Sequence, residues 1–269
     1  MKFSFMSFSC PELDLDESLS VAKKFGYAGF EPRTSCGHRH GIEVGAPARF
    51  LREAKEKTVE TGIQICCLAT SFGFSDPEQN AANLELARRS IEVASQVGAP
   101  ALRVFGGRIP VGMERARSEQ AIVESLAKLA EDARSHGVTV CIETHDDWCD
   151  PRNIARILQA VDHPSIAVNW DIMHPVLTAG TSVTAAFEIL KTWIRHVHVH
   201  DGTKVDEKLV FLPIGSGAVD HATALGLLVA SWYDGYASGE WIDWESYDTH
   251  LPRELATMLE ALAEYPGGK

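Results

Sequence analysis

The chain has 269 residues, of which 45% are hydrophobic and 23% are charged. These proportions are typical of globular proteins, and the length suits one α/β barrel of roughly 250 residues or two smaller domains. Acidic residues outnumber basic ones by 37 to 25, which gives a formal net charge of −12. Because binding to nucleic-acid phosphates usually needs a basic surface, we expect no nucleic-acid partner.

The sequence leads us to expect neither a membrane span nor a signal peptide. No apolar run approaches the ~20 residues of a membrane span, and the N-terminal region turns acidic, which argues against a signal peptide. The six cysteines form no C-x-x-C pair, which argues against a disulfide framework or a zinc ribbon. We therefore expect a cytoplasmic protein with buried thiols and no membrane partner. Cys149, in a predicted loop beside Trp148, is the thiol whose reactivity we would test.

Short apolar runs alternate with longer helical patterns along the chain. The apolar runs predict strands at Lys2–Phe8, Ala28–Glu31, Gln64–Ala69, Ala101–Phe105, Val138–Glu143, Ile166–Asp171, Ile194–His200 and Glu240–Glu245. Each precedes a predicted helix, at Leu15–Phe25, Ala46–Thr61, Pro77–Val97, Ser118–His136, Pro151–Val161, Val183–Thr192, His221–Ala230 and Pro252–Ala263. In the fourth helix, apolar residues recur at the helical period. Glycines 26, 62, 98 and 137 follow helices and read as C-caps.

This alternation predicts an α/β fold, a (β/α)8 TIM barrel that forms a single domain over residues 1–269. A doubly wound open sheet shares the alternation. It would place a glycine-rich phosphate turn after an early strand, whereas the first turn reads SFSCPELD. We therefore favour the barrel, with no room for a second domain.

Acidic residues and a histidine come at the ends of the last four predicted strands: Glu143, Asp171, His198 and Glu245. In a TIM barrel these strand ends form the active site, so the four side chains should meet at one rim. A single carboxylate there could equally form a structural salt bridge. Three together repel one another unless a cation neutralises them. The set therefore predicts one divalent metal ion, Mn²⁺, Mg²⁺, Co²⁺ or Zn²⁺, held by oxygen and nitrogen ligands.

The motif HVHVH in the seventh strand offers three candidate histidines. Side chains alternate along a strand, so His196, His198 and His200 share one face. If the valines pack against the helices, all three point into the barrel, with His200 nearest the rim and His196 deepest. The spacing alone leaves open which of them binds the metal.

Four of these motifs resemble the xylose-isomerase-like TIM-barrel superfamily, in its sugar phosphate isomerase/epimerase branch: IETH, WDIMH, HVHVHD and WIDWES. The resemblance covers nearly the whole chain and implies one divalent metal with a Glu–Asp–His–Glu ligand set. The family pattern places the metal histidine three residues before an aspartate, which selects His198 ahead of Asp201. His200 stands where the family often has lysine.

The resemblance also implies substrate-binding roles around the metal. His145 and His174 match substrate-contacting histidines of the family, and Glu31 in the motif GFEPR is expected near the substrate. Other pocket candidates, from the loop after the second strand and from strand ends, are His38, His40, Arg103 and His200. For each of them a capping or buried structural role is the alternative.

The predicted site suits proton abstraction next to a ketone. The metal would polarise the carbonyl of a keto sugar or polyol ketone, and Glu143 or Glu245 would take the neighbouring proton to give a metal-stabilised ene-diolate. Return of the proton to the other carbon isomerises the substrate, and return to the opposite face epimerises it. We therefore expect a metal-dependent sugar isomerase or epimerase, with a small-molecule substrate that is phosphorylated or free.

Other functions fit part of the pattern. A lyase or dehydratase of the same superfamily, acting on an inosose or a dehydroshikimate-like ketone, begins with the same proton abstraction. An abasic-site endonuclease shares the fold, but it needs a metal cluster and a basic rim, which the charge disfavours. A barrel without catalytic activity is a further alternative, which a lack of affinity for Mn²⁺ or Zn²⁺ would support. The aromatic residues Trp232, Tyr233 and Tyr236 suggest a contact surface for a homo-oligomer.

Overall fold

The computed structural model describes residues 1–206 and 208–264. The strands are β1 (Lys2–Met6), β2 (Gly29–Glu31), β3 (Gln64–Ile65), β4 (Leu68–Gly73), β5 (Ala101–Phe105), β6 (Thr139–Glu143), β7 (Ile166–Asp171), β8 (Ile194–Val199), β9 (Asp201–Val205), β10 (Lys208–Leu212) and β11 (Tyr236–Gly239). The helices are α1 (Leu15–Phe25), α2 (Ala48–Thr61), α3 (Asn80–Val97), α4 (Arg115–His136), α5 (Pro151–Val161), α6 (His174–Ala179), α7 (Val183–Leu190), α8 (His221–Ala230) and α9 (Tyr247–Glu264).

The parallel strands form a nearly closed barrel in the order β3-β2-β1-β11-β8-β7-β6-β5-β4. Its two edges are consecutive pieces of chain, because β3 pairs with β2 while β4 pairs with β5. A parallel bridge between Arg33 and Ala69 adds a further link across this junction. The predicted TIM barrel is thus confirmed. None of the helices among the described residues combines the length and hydropathy that crossing a bilayer requires.

Local sequence signals set the helix ends. Asp14 and Glu17 form a capping box at the start of α1, each accepting the other's main-chain N–H at 2.9 Å. The predicted C-cap glycines are confirmed, since the residues after α1, α2, α3 and α4 are glycines in the left-handed conformation. The tight turns that result fix where the following strands begin.

Successive side chains of β8 point alternately toward the helices and into the barrel interior. On β8, Val197 and Val199 belong to the apolar layer shared with the helices. His196 and His198 face the other way and reach Glu31 on β2 across the barrel interior. The three histidines of HVHVH therefore do point inward, as the sequence predicts.

Two strand predictions differ from the structure, and one hairpin was not predicted. The third predicted strand is split at residues 66–67 into β3 and β4. An antiparallel hairpin of β9 and β10 follows β8. The eighth predicted strand, Glu240–Glu245, is wrong because the strand is β11, which ends at Gly239.

Small side chains explain the misplaced eighth strand. β11 reads YASG, is buried throughout, and lies between β1 and β8. The apolar residues that suggested a strand follow it instead. Trp241 folds back onto β11 so closely that any side chain at position 239 would overlap its ring. The apolar run therefore covers the strand end and does not pair with its neighbours.

Candidate active site

Four side chains meet at the C-terminal end of the barrel, and each comes from the end of a different strand: Glu143 from β6, Asp171 from β7, His198 from β8 and Glu240 directly after β11. Their candidate ligand atoms all lie within 4.8 Å of one another, and all four residues are buried. We call these four residues the carboxylate–histidine cluster.

His198 occupies the centre of the cluster. Its Nδ1 lies 3.1 Å from Glu143 Oε1 and 3.2 Å from Glu240 Oε2. Its Nε2 lies 3.1 Å from Glu31 Oε1 on β2. Burial opposes protonation of the ring, but the three carboxylates around it prevail and raise the pKa of His198 well above its ordinary value. The imidazole thus carries positive charge where the carboxylates converge.

Asp171 is held in place by main-chain and side-chain donors. Its Oδ1 accepts the N–H groups of Met173 at 2.8 Å and His174 at 2.9 Å, at the start of α6. Its Oδ2 lies 2.6 Å from His200 Nε2. Burial would raise the pKa of Asp171, but the charge of His200 and then that of His174 hold it below its ordinary value. The carboxylate is therefore ionised and fixed in orientation.

The donor set of the cluster fits one divalent cation. Three carboxylates and one imidazole supply the oxygen and nitrogen atoms that such ions bind. Glu143 Oε2 is buried without a hydrogen bond, although Arg103 Nε lies 3.1 Å away, so it retains acceptor capacity. Buried carboxylates need compensating positive charge. Either the protonated His198 or a bound cation supplies that charge.

Glu245 lies outside the cluster. Its carboxylate is 2.7 Å from Arg253 Nη1 on α9, and its side chain is 39% exposed. The prediction that Glu245 is a metal ligand and catalytic base is therefore wrong, because the last strand ends at Gly239 and not at position 245. Glu240 takes the place at the strand end. Although burial opposes the shift, the charge of His198 lowers the pKa of Glu240 below its ordinary value.

Glu31 supports the cluster from behind. It is fully buried, and its two oxygens lie 2.8 Å from His196 Nε2 and 3.1 Å from His198 Nε2. A carboxylate that accepts the outer N–H of a ligating histidine fixes the tautomer and orientation of that ring. The predicted contact of Glu31 with substrate is therefore not supported. The contacts of Glu31 suit a residue that orients His198.

His200 connects two members of the cluster. Its Nε2 faces Asp171, and its Nδ1 lies 3.1 Å from the main-chain oxygen of Glu240. Burial lowers its pKa, but the charge of Asp171 raises it by more. Both ring nitrogens are engaged inside the protein. The predicted substrate contact of His200 is therefore not supported, and its contacts suit a residue that orients Asp171.

His145 and His174 lie at the rim of the site. Their ring centroids are 4.3 Å apart, and both residues line a cavity of about 440 Å³. Burial lowers the pKa of His174 below its ordinary value. Burial acts in the same direction on His145, but contact with Asp146 and the charge of Glu143 outweigh it and raise the pKa of His145 to about 9. A cationic ring and a neutral ring thus stand side by side, and their role in substrate binding remains a prediction.

His40 holds the loop that follows β2. Its Nε2 lies 3.1 Å from the main-chain oxygen of Arg33, and its Nδ1 accepts the N–H of Ile42 at 3.1 Å. Burial lowers the pKa of His40 to about 4, so the ring is neutral. Both ring nitrogens face main-chain groups, so the structure does not support the predicted substrate contact. His38 is only partly buried, with its Nδ1 2.8 Å from Ser7 Oγ, and stays a candidate at the rim.

Two buried arginines lie beside the cluster. Arg103 Nε is 3.1 Å from Glu143 Oε2, and its guanidinium stacks on Phe105 at 4.0 Å from the ring centroid. Arg103, predicted as a substrate anchor, is thus engaged with a cluster carboxylate. Arg33, two residues beyond Glu31, was not predicted. It is 8% exposed.

A second and larger cavity, of about 530 Å³, lies between the ends of β4 and β5. Its lining includes Ser71 and Phe105, and it shares Arg108 and Asp146 with the cavity at the rim histidines. The two cavities are therefore neighbours at the C-terminal end of the barrel. Their volumes are in the range of small-ligand sites.

The six cysteines are all free thiols, and five of them are buried. Cys149, the candidate for reactivity, is 5% exposed. Burial raises its pKa to about 12. A thiol with so high a pKa is a poor nucleophile at neutral pH, so the structure does not support a reactive Cys149.

Glu240 in the cluster and the nearby buried Arg33 are the residues that sequence reasoning missed. Glu240 directly follows β11, a strand of one tyrosine and three small residues, which an apolar-run criterion overlooks. Arg33 lies two residues after Glu31 in GFEPR, a spacing that puts both side chains on the same side of an extended chain. That spacing is the signal that identifies Arg33.

Residues 19–265 match a protein family described as xylose isomerase-like TIM barrels. A 3-dehydroshikimate dehydratase from Bacillus anthracis is 23% identical over 218 residues, which cover 79% of this chain and 76% of that protein. A putative hydroxypyruvate isomerase from Mus musculus is 27% identical over 259 residues, covering 88% and 87% of the two chains. A crystal structure of the IOLI protein with a bound zinc atom superposes with a TM-score of 0.84 at 16% identity, covering 98% and 99%.

Proposed function

The chain belongs to the xylose isomerase-like TIM-barrel family, and from this premise we propose that it is a metal-dependent isomerase or epimerase of a small hydroxy ketone. The observation that carries the proposal is the carboxylate–histidine cluster, with four candidate ligand atoms within 4.8 Å. Such a site suits removal of a proton from the carbon next to a ketone.

The cluster would hold one divalent ion through Glu143, Asp171, His198 and Glu240. When bound, the ion would polarise the substrate carbonyl and stabilise negative charge on its oxygen. The IOLI protein, which has a similar fold, contains a bound zinc atom, and this supports the proposal that the cluster binds a divalent metal ion. The identity of the ion stays open among Mn²⁺, Mg²⁺, Co²⁺ and Zn²⁺.

Glu143 and Glu240 are the candidates for proton transfer. They come from β6 and from the end of β11, with β7 and β8 between them, and both face His198 Nδ1. They therefore flank the place where a substrate would meet the cluster. One takes the proton from the substrate carbon, and the same or the other carboxyl group returns it. Arg103 orients Glu143 from behind.

Dehydration is the second candidate reaction, because one relative is a 3-dehydroshikimate dehydratase. It begins with the same proton abstraction and differs in what leaves the substrate afterwards. Another relative is a putative hydroxypyruvate isomerase, which supports isomerisation. Proton exchange reports the shared first step for both reactions.

The test is deuterium exchange into hydroxypyruvate and neutral ketoses, followed by NMR in D₂O with Mn²⁺ present. We expect exchange by the wild type and a loss of about 100- to 10,000-fold in Glu143→Gln and in Glu240→Gln, the range typical of general acid–base groups. Glu53→Gln on the surface of α2 is the control and should keep the wild-type rate. Near-normal exchange in both cluster variants would refute the proposed roles.

The remaining expectations follow from this proposal. The partner is a small hydroxy ketone and not a nucleic acid, given the net charge of −12. The prediction of a cytoplasmic protein rests on the six free thiols. Of the aromatic residues predicted to form a homo-oligomer contact, Tyr236 is buried in β11, whereas Trp232 is 91% exposed and is the residue to examine.

A further inference from the structure

Arg33 extends the β2 side of the site toward the rim. It lies two residues beyond Glu31, so its side chain leaves the same side of the extended chain. Its main chain bridges to Ala69 of β4, which holds it at the junction that closes the barrel. The side chain packs over Phe8, with the guanidinium 5.9 Å from the ring centroid.

The guanidinium of Arg33 makes only neutral contacts. Nη1 donates to the main-chain oxygen of Thr34 at 2.9 Å, and Nη2 donates to Ser71 Oγ at 2.5 Å. Nε is buried and has no hydrogen-bond partner. Among the described residues no carboxylate forms an ion pair with it, whereas the neighbouring Arg103 pairs with Glu143.

An arginine so deeply buried without an anion is electrostatically expensive. Burial, and then the charge of Arg103, lower the pKa of Arg33 to about 10, against the opposing charges of Glu240 and Glu143. Arg33 therefore stays cationic at neutral pH and lies within electrostatic reach of the cluster. Within the described part of the chain, its charge has no carboxylate partner in direct contact.

A cavity lies next to the guanidinium of Arg33. Ser71, which accepts its hydrogen bond, and Ser35 both line the 530 Å³ cavity at the ends of β4 and β5. Arg33 itself is buried behind this lining, so a ligand in the cavity would approach the guanidinium at Ser71. Arginine favours carboxylates because its N–H groups match the carboxylate oxygens in geometry and charge.

We propose that Arg33 binds a carboxylate of the substrate, so that the enzyme acts on hydroxylated 2-oxo acids in preference to neutral ketoses. The inference rests on the proposed function for its chemistry, and it adds the substrate class. Arg33 is a specificity-determining residue, and Glu143 and Glu240 remain the groups that move the proton.

Three ligands with one carbon skeleton test this proposal: hydroxypyruvate, dihydroxyacetone and dihydroxyacetone phosphate. KM and kcat come from deuterium exchange by the Mn²⁺-loaded protein. Saturation-transfer NMR on the metal-free protein reports binding without turnover. The variants are Arg33→Gln, Arg33→Lys, and Arg49→Gln as a control that removes a charge from a side chain 85% exposed on α2.

We expect the wild type to prefer hydroxypyruvate to dihydroxyacetone by about 10- to 100-fold in KM, the size of a charge-assisted hydrogen bond. Arg33→Gln should raise KM for hydroxypyruvate by the same factor and remove its saturation transfer, with dihydroxyacetone unaffected. Arg33→Lys should restore part of the preference. Unchanged kinetics for dihydroxyacetone also show that the variants are folded.

Equal losses for hydroxypyruvate and dihydroxyacetone in Arg33→Gln would overturn the proposal and assign Arg33 a structural role. An Arg33-dependent preference for dihydroxyacetone phosphate would also overturn it, in favour of a phosphate ester. Absence of exchange with all three ligands would refute the proposed function instead. In that case the saturation-transfer result still decides whether Arg33 binds the carboxylate.

Discussion

Replacing Glu31 by glutamine probes how the cluster is held in place. The wild-type carboxylate accepts from two imidazoles, His196 at 2.8 Å and His198 at 3.1 Å. Glutamine keeps the shape but has one acceptor oxygen, and its NH₂ group is itself a donor. One imidazole N–H therefore loses its acceptor, and the negative charge behind His198 disappears.

The size of the effect of Glu31→Gln can be estimated in two independent ways, from the cost of a lost hydrogen bond and from the loss of metal affinity. Losing one hydrogen bond to a charged group costs about 1.5–3 kcal/mol. Losing a carboxylate behind a metal-binding histidine typically weakens metal affinity by about 10- to 100-fold, which corresponds to about 1.4–2.7 kcal/mol. We therefore expect Glu31→Gln to bind Mn²⁺ about 10- to 100-fold more weakly and to lose about 2 kcal/mol of unfolding free energy without metal.

The assay is Mn²⁺ titration with electron paramagnetic resonance detection of free ion, together with urea denaturation of the metal-free protein. Glu53→Gln removes an acidic charge from a half-exposed position and should match the wild type in both measurements. Wild-type Mn²⁺ affinity in Glu31→Gln would refute the positioning role. A raised KM with unchanged metal affinity would instead support direct contact between Glu31 and the substrate.

Three further predictions concern stability. Mn²⁺ at a hundredfold excess over its Kd should add about 2.7 kcal/mol to the unfolding free energy. In scanning fluorimetry this should raise Tm by about 5 °C. An equal rise in Tm for Asp171→Asn would contradict a metal site at the cluster. The pKa of His40 is about 4 in the folded state and 6.5 in the unfolded state. As pH falls from 6.5 to 4, the unfolded state therefore takes up a proton before the folded state does, and the free energy of unfolding of the wild type should fall by up to about 3 kcal/mol. Urea unfolding of His40→Gln should show a smaller loss over that interval, and an identical pH profile would count against the buried neutral ring. A side chain at position 106 would overlap the buried ring of Trp148, so Gly106→Ala should lower the unfolding free energy by about 1–3 kcal/mol; no change in urea denaturation would contradict this packing.

The barrel and two of the four cluster residues were predictable from the sequence for one physical reason. Glu143 and Asp171 end strands whose other residues are mostly apolar. Alternation along β8 predicted that its histidines point inward, and only the family resemblance selected His198 among them. Parallel strands in a barrel bring such ends together. A strong apolar pattern therefore locates both the strand and the side chain at its end.

The fourth cluster position depended on packing that a local pattern does not contain. Three of the four residues of β11 are small, and the ring of Trp241 packs against Gly239 at its end. The apolar residues therefore follow the strand and do not form it. For this reason the apolar pattern predicted Glu245, and not Glu240, as the residue at the strand end. Only the three-dimensional contact between Trp241 and the strand reveals the displacement.

The contacts of Glu31 and His40 could not be predicted from the sequence either. Glu31 and His198 are 167 residues apart and meet only across the barrel interior. His40 looks like a pocket residue in CGHRHG, but hydrogen bonds to the main chain occupy both of its nitrogens. Residue type and spacing identify candidates, whereas the partners of each polar atom decide their function.

The most direct test of the central claim is the number and location of bound metal ions. Mn²⁺ binding should be measured by equilibrium dialysis for the wild type, Glu240→Gln and Glu245→Gln. We predict one high-affinity ion in the wild type, an affinity at least 10-fold lower in Glu240→Gln, and wild-type affinity in Glu245→Gln. Unchanged binding in Glu240→Gln, or weakened binding in Glu245→Gln, would contradict the carboxylate–histidine cluster as the metal site.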